Sequence, residues 1–323
     1  MGSRHAESNV RVELAQFDVI AGGADELLSL MCLARPLDKV PLIVAPAMNR
    51  EMWANPATQR NVVQLRADGV HVLDVGKGDQ ACGETGDGRM LEAEEILQDL
   101  EAFFAPKHLA GHHVLVTAGP TYEAIDPVRG ITNLSSGKMG FAIARAARMA
   151  GAQVTLVAAP VPLPTPRGVV HIDVRSAKQM LDAVQGQVDQ ASVFVATAAV
   201  ADWRADTQAD QKIKKDGSGQ TPALKFVENP DILATVAQSA RAQSGALFCV
   251  GFAAESHDLL AHATAKRIRK QVPLLVGNIG PATFGQDDNA LLLVDESGAR
   301  ELPHASKQVL AEQLMADIAR RLK

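Results

Sequence analysis

Residues 114–159 read VLVTAGPTYEAIDPVRGITNLSSGKMGFAIARAARMAGAQVTLVAA, and they decide the fold of the larger part of the chain. The apolar run at 114–117 has the length and composition of a buried strand. Gly119-Pro120 ends it. An alanine-rich stretch at 137–150 has helical spacing and closes on Gly151. A second apolar run follows at 153–158. Strand, helix, strand in that order is a βαβ unit, and such units imply a parallel sheet with helices on its faces.

The alternation continues downstream. A helix is expected at 176–184, strands at 193–197 and 248–252, a helix at 259–270, strands at 274–277 and 290–294, and a closing helix at 307–322. Upstream, residues 42–45 read as a short strand ending in Pro46-Ala47-Met48-Asn49. A helical pattern at 56–68 stops at Gly69, and a second strand follows at 70–75. Residues 76–88 hold five glycines and read as a loop. A helix at 91–104 carries acidic residues in its first turn, where the helix dipole favours them. Residues 105–111, with Pro106 and Gly111, have no period and read as a linker. The expected organisation is therefore an unassigned polar segment at 1–23, a first domain at 24–104, the linker at 105–111 and a second domain at 112–323.

Bulk composition agrees with two domains in a chain of 323 residues. Hydrophobic residues make up 47% and charged residues 21%, ordinary values for a globular protein. The formal net charge of −5 gives no general attraction for nucleic acids or anionic membranes, so an anionic ligand must be held by a local basic cluster. Three cysteines without CxxC spacing argue against a disulfide framework or a zinc site, and a reduced, cytoplasmic setting is expected. No apolar run approaches the roughly 20 residues that cross a bilayer.

Four stretches carry candidate chemistry. Asn133-Leu134-Ser135-Ser136-Gly137-Lys138-Met139-Gly140 leads into the helix at 137–150. A helix N-terminus offers unpaired N–H groups to a phosphate, although a serine there also caps a helix without any ligand. The connection before it, 121–132, is long for a βα loop and holds Glu123, Asp126 and Arg129; long connections are often functional, and solvated surface charge is the plainer reading. Ala198-Ala199-Val200-Ala201-Asp202-Trp203 runs from a strand into small residues and then an acid. In open α/β sheets ligands sit beyond the carboxyl ends of the strands, and Asp202 can accept from an amino or hydroxyl group or simply hold a turn. Lys212-Ile213-Lys214-Lys215 and the cluster Lys266, Arg267, Arg269 and Lys270 are basic in an acidic chain. Charge runs are usually solvated faces, yet Lys266 and Lys270, four apart, share one helical face, and two such clusters would suit a triphosphate. Aromatics at 4% show no stacking pattern for nucleic acid. Cys82, in the glycine-rich loop, is a thiol placed where it could act as a general acid, or a chance surface residue. Cys32 and Cys249 read as core.

Taken together, VTAGPTYEAIDPVRGITNLSSGKMG, AAVADW, KIKK, ENPDIL, GFAAE and KRIRK, in that order, resemble the bacterial bifunctional phosphopantothenoylcysteine decarboxylase/phosphopantothenate–cysteine ligase family over about residues 24–323. The resemblance implies an α/β fold: a Rossmann-like parallel-sheet ligase domain preceded by part of a flavodoxin-like domain. It implies CTP as the activating nucleotide, with Mg2+, and 4'-phosphopantothenate and cysteine as the molecules joined through an acyl-cytidylate. By the same resemblance Asn133 holds that intermediate, Ala198 and Ala199 lie beside it, Asp202 reads the nucleotide, and Lys212 sits on a mobile flap. Pro230, Asp231, Ile232, Leu233, Phe252, Lys266 and Lys270 match further CTP contacts. In the first domain Asn49 matches the asparagine for the substrate carboxylate and Cys82 the cysteine that protonates an ene-thiol intermediate. The family's flavin phosphate loop and histidine should precede this region. Residues 1–23 resemble neither, so the expectation is a decarboxylase half truncated at its N-terminus and without FMN. A homo-oligomer, at least a dimer through the ligase domain, is also implied.

Two other classes compete. A nicotinamide-dependent oxidoreductase shares the βαβ unit, but the long loop stands where a tight GxGxxG turn belongs. A non-catalytic flavoprotein-like subunit would not need Asn133, Asp202 and Lys212.

Overall fold

The computed structural model describes residues 27–80, 83–214, 223–255, 257–279 and 285–322. The chain divides into two compact units, Met1–Glu101 and Ala102–Lys323.

In the first unit, helix α1 (Leu27–Ala34) precedes strand β1 (Ile43–Val44), helices α2 (Arg50–Ala54) and α3 (Pro56–Ala67), and strand β2 (His71–Val72). β1 and β2 pair in parallel. α3 starts where the sequence dictates: Pro56 occupies its first turn, and the Asn55 side chain accepts from the Ala57 N–H at 2.9 Å. Its Val62 and Leu65 pack with Val70 and Val72 in a small buried cluster. The expected glycine loop at 76–88 contains an antiparallel hairpin, β3 (Gly76–Asp79) with β4 (Thr85–Arg89). Glycine makes it possible. Gly88 has φ +122°, and a Cβ there would lie 2.6 Å from the Met48 carbonyl oxygen. Helix α4 (Ala93–Phe104) closes the region.

The second unit is built on one eight-stranded sheet. Its strands are β5 (His113–Ala118), β8 (Gln153–Ala158), β9 (Val170–Asp173), β10 (Val193–Ala196), β13 (Phe248–Glu255), β14 (Leu274–Ile279), β15 (Asp288–Asp295) and β16 (Gly298–Ser306). They lie in the order β16-β15-β14-β13-β10-β5-β8-β9. All pairs from β9 to β14 are parallel, and β14, β15 and β16 pair antiparallel. Side chains alternate across the sheet as strand geometry requires. Val114 and Val116 enter one core, Leu115 the other. Helices α5 (Lys138–Met149) and α10 (Lys307–Arg321) cover the first face, through Ile143, Ala147, Leu310 and Leu314. Helices α6 (Ala177–Gln187), α7 (Ile232–Ala237) and α9 (Leu259–Lys270) cover the second, through Met180, Leu233 and Ala263. A short helix α8 (Ala240–Gln243) follows α7.

The parallel α/β architecture expected from the sequence is therefore observed. Among the described residues of this unit, six strands in polar sequence escaped the apolar pattern. β9 and β16 are the two edges of the sheet, where one side has no partner and few apolar residues are needed. The long connection at 121–132 is a hairpin, β6 (Tyr122–Ala124) with β7 (Gly130–Thr132). A further pair, β11 (Trp203–Ala205) with β12 (Phe226–Glu228), brackets the lysine-rich segment.

Candidate active site

The six parallel strands run β9-β8-β5-β10-β13-β14. The chain winds outward in one direction from β5 and in the other from β10. Between these two strands the connecting loops part, and a crevice opens beyond their carboxyl ends. Two adjoining cavities occupy that position.

The first has a volume of about 500 Å3. Ala198 and Asp202 line it from the segment after β10, Pro230 to Leu233 from the entry to α7, Phe252 from β13, and Lys266 and Lys270 from α9. Local chemistry holds each part. After β10 the chain is stitched to the β5 loop: Ala199 N–H donates to the Gly119 carbonyl at 3.0 Å, and Ala201 N–H to Thr121 Oγ1 at 2.9 Å. Asn229 fastens the next wall, its side-chain amide donating to the Ala201 carbonyl at 2.8 Å and its N–H to the Asp202 carbonyl at 2.8 Å. Asp231 caps α7 by accepting from the Ala234 N–H at 2.9 Å and forms an ion pair with Lys270. Lys266 Nζ donates to the Phe252 carbonyl at 3.0 Å. Burial pushes the Lys266 amine below the ordinary lysine range and Arg269 adds to this, while Glu255 and Asp202 oppose it. Burial also lowers Lys270, against the pull of Asp202. These amines are partly desolvated cations, and an anion entering the cavity is less screened than in water.

The second cavity, about 260 Å3, shares Ala198, Val200, Phe252 and Lys266 with the first. Ala199, Ser135, Ser136 and Gly137 line it, with Lys138, Asn278, Asn289 and Lys307. Gly137 enters α5 at φ +72° without a side-chain cap, so the first N–H groups of α5 are not taken by a capping side chain. Gly140 lets α5 approach the end of β5, where a Cβ would lie 2.5 Å from Ala118 Cβ.

A family model described as "DNA/pantothenate metabolism flavoprotein C-terminal domain" matches residues 109–322, and a flavoprotein model matches residues 18–105. A coenzyme A biosynthesis bifunctional protein CoaBC from Vibrio cholerae is 47% identical over 298 residues, 91% of this chain and 73% of that protein. The CoaBC protein of Escherichia coli is 44% identical over 311 residues, 94% of this chain and 74% of that one. This chain belongs to the CoaBC family. The crystal structure of a CoaBC C-terminal domain matches with TM-score 0.57 and 34% identity, covering 67% of this chain and 98% of that one. CoaBC proteins are bifunctional proteins of coenzyme A biosynthesis, and both domain types are present here. The expectation of a truncated decarboxylase half is corrected to that extent. Residues 18–105 match a flavoprotein domain in their own right.

Of the residues that the resemblance singled out in this CoaBC chain, nine line the first cavity and Ala199 lines the second. Asn133 and Lys212 line neither. Asn133 is exposed beside the second cavity, its amide donating to the Ala199 carbonyl at 3.1 Å. Lys212 is exposed, and its neighbour Ile213 is bound to Asp126 and Arg129. Asn49 caps α2 by accepting from the Glu51 N–H at 2.7 Å, and its amide donates to Glu84. Both ends of that side chain are thus engaged inside the first unit. Cys82 and Lys215 lie outside the described residues. Arg269, from the basic cluster named in the sequence, lines the first cavity, while Lys138, Asn278 and Lys307 are cavity residues that sequence reasoning had not assigned. Lys138 stood inside a quoted motif. Asn278 and Lys307 sit at an expected strand and helix end, where only the fold reveals what they face.

Proposed function

We propose that the C-terminal domain joins cysteine to 4'-phosphopantothenate using CTP, through an acyl-cytidylate. The observation that carries this is the convergence of Ala198, Asp202, Asp231, Phe252, Lys266 and Lys270 on one cavity at the point where the strand order reverses. In this reading the first cavity takes the nucleoside and the second the phosphates. Lys266, common to both, faces the α-phosphate.

The chemistry follows. The pantothenate carboxylate attacks the α-phosphorus and pyrophosphate leaves. Two anions must meet, and the lysines supply the charge that makes this possible. The amine of cysteine then attacks the activated carbonyl carbon, CMP leaves, and an amide forms. Small side chains at Ala198 and Ala199 leave room for the mixed anhydride. Lys212 closes over the reacting phosphate, and Asn133 donates to the intermediate. Magnesium would accompany the triphosphate. Among the described residues no group of three or more His, Cys, Asp or Glu side chains could hold a metal ion, so its oxygens would come largely from phosphate and water, which suits a cation that keeps several waters.

The test is pyrophosphate release with phosphopantothenate, comparing CTP with ATP, with and without cysteine. CTP-dependent release that needs phosphopantothenate is expected; equal or faster turnover with ATP sinks the CTP assignment. Assembly of at least two copies through this domain is part of the same reading. It would cover Val128 and Leu134, 60% and 85% exposed beside the site, and sedimentation measures it. For the flavoprotein domain, a stoichiometric FMN spectrum after removal of free dye, with CO2 release from phosphopantothenoylcysteine, is the result that adds the decarboxylase.

A further inference from the structure

Among the described residues, the second cavity is lined by three amines, Lys138, Lys266 and Lys307, and by no carboxylate. Two of these amines bind the segment Gly285–Asp287. Lys138 Nζ donates to the Gly285 carbonyl at 2.9 Å and to Asp287 Oδ1 at 2.7 Å. Lys307 Nζ donates to the Gln286 carbonyl, and the Lys307 N–H to the Asp287 carbonyl at 2.9 Å. The two contacts differ in kind. Lys307 is buried and meets a neutral acceptor. Lys138 is one-third exposed and meets a carboxylate that is 90% exposed. The hydrogen bond and charge of Lys138 hold Asp287 below the usual carboxylate range, so its charge is present at neutral pH.

We infer that Lys138 is a phosphate-binding residue of this site and that the Asp287 carboxylate is its stand-in anion, displaced when the terminal phosphates of a nucleotide enter. The inference rests on the ligase reading above. An exposed ion pair is weak because water solvates both partners well. A phosphate brings more charge and more acceptor oxygens than a carboxylate, and the lysine stem can swing between the two without moving the helix. Asp287 therefore holds the Lys138 amine and competes with the ligand for it. Lys307 lies behind it, its amine lowered by burial and by Lys138 and raised by the charges of Asp287 and Asp288.

The test is calorimetric binding of CTP and of inorganic pyrophosphate to the full chain. Asp287→Asn should bind both more tightly, by roughly two- to fivefold, the range expected for one exposed charge pair. Lys138→Met should bind both more weakly. In the double variant most of the gain from Asp287→Asn should vanish, because the hydrogen-bonded partner of the carboxylate is gone and only the weaker charge coupling to Lys307 remains. Asp288→Asn, one residue on and paired with His304 at 3.6 Å, is the control for general charge and should show no comparable gain. Unchanged or weaker binding by Asp287→Asn overturns the inference, as does an equal gain from Asp288→Asn or an undiminished gain without Lys138. Should Lys138→Met fail to fold, the Asp287 and Asp288 arms, both at exposed side chains, still decide. Failure of the ligase reading looks different: the wild-type chain would release no pyrophosphate from CTP, whatever these affinities are.

Discussion

The main-chain N–H of Ile213 donates to the buried carboxylate of Asp126 at 3.2 Å, across 87 residues of sequence. Arg129 completes the clasp. Its Nε donates to Asp126 at 3.0 Å, and its Nη2 donates to the Ile213 carbonyl at 2.8 Å. The β6–β7 hairpin thus fastens the root of the segment that carries Lys212 and Lys214.

Asp126→Asn should free that segment. The Arg129 hydrogen bond, helped by the N–H groups of Val128, Ile213 and Arg129 and opposed by burial, holds the Asp126 carboxyl far below the usual range. A carboxyl depressed in the folded state stabilises above its unfolded pKa, about 3.9, and loses that contribution only as pH falls through the folded value. At neutral pH the wild-type clasp is closed, and the variant should show faster limited proteolysis within 206–225 and a lower kcat on an intact fold. Equal proteolysis rates at pH 7 would remove Asp126 from this role.

Lys212→Gln should lower kcat by about a hundredfold, the usual order for one preorganised charge contact. Lys212 is exposed, so circular dichroism and thermal stability should not change. Near-normal turnover would return Lys212 to an ordinary solvated charge.

Asn133→Asp separates the two half-reactions. The Asn133 amide donates to the Ala199 carbonyl; an aspartate cannot donate and adds charge beside an anionic intermediate. Amide formation should fall much more than CTP binding, read by comparing single-turnover product with calorimetric affinity. Loss of CTP binding altogether would show a different role.

Nucleotide affinity should weaken on the alkaline side earlier than for ordinary lysines. Burial lowers the pKa of both Lys266 and Lys270, so each loses its proton, and its attraction for phosphate, below the usual value of about 10.4. Binding measured from pH 7 to 10 should decline in step with proton release, and Lys266→Met should flatten the profile. A profile flat to pH 10 in the wild type would contradict this.

Gly140→Ala probes the wall that α5 and β5 form. The new Cβ meets Ala118 Cβ at 2.5 Å and Thr197 Oγ1 at 2.6 Å. Relief requires the helix to shift, at a cost of about 1–3 kcal/mol. Urea unfolding should show a lower midpoint with an unchanged slope, and the second cavity should bind pyrophosphate less well.

Much of the site was legible as motifs, because a family's ordered short segments survive in sequence even when each alone is ambiguous. Asp202 read from spacing alone was equally a turn residue. Lys138 passed unassigned within a quoted motif, and Lys307 read only as the start of the closing helix. The hairpins at 76–88 and 121–132 were missed for a related reason. Glycine and charged residues carry no two-residue alternation of hydrophobicity, yet Gly88 fits where any Cβ would strike the Met48 carbonyl.

By itself the sequence determined the parallel α/β plan. Buried strands such as 114–117 and 153–158 must be apolar, the helices between them must be amphipathic, and both patterns are local and periodic. Only the tertiary structure decided which end of which strand faces which. Strand order sets the crevice between β5 and β10, and hydrogen bonds between residues some 80 positions apart, such as Ala201 to Thr121, close its walls. Whether Lys138 faces solvent or a carboxylate at 285–287 depends on chain segments about 150 residues away. Local periodicity reports burial, but the meeting of distant charges is a property of the folded surface.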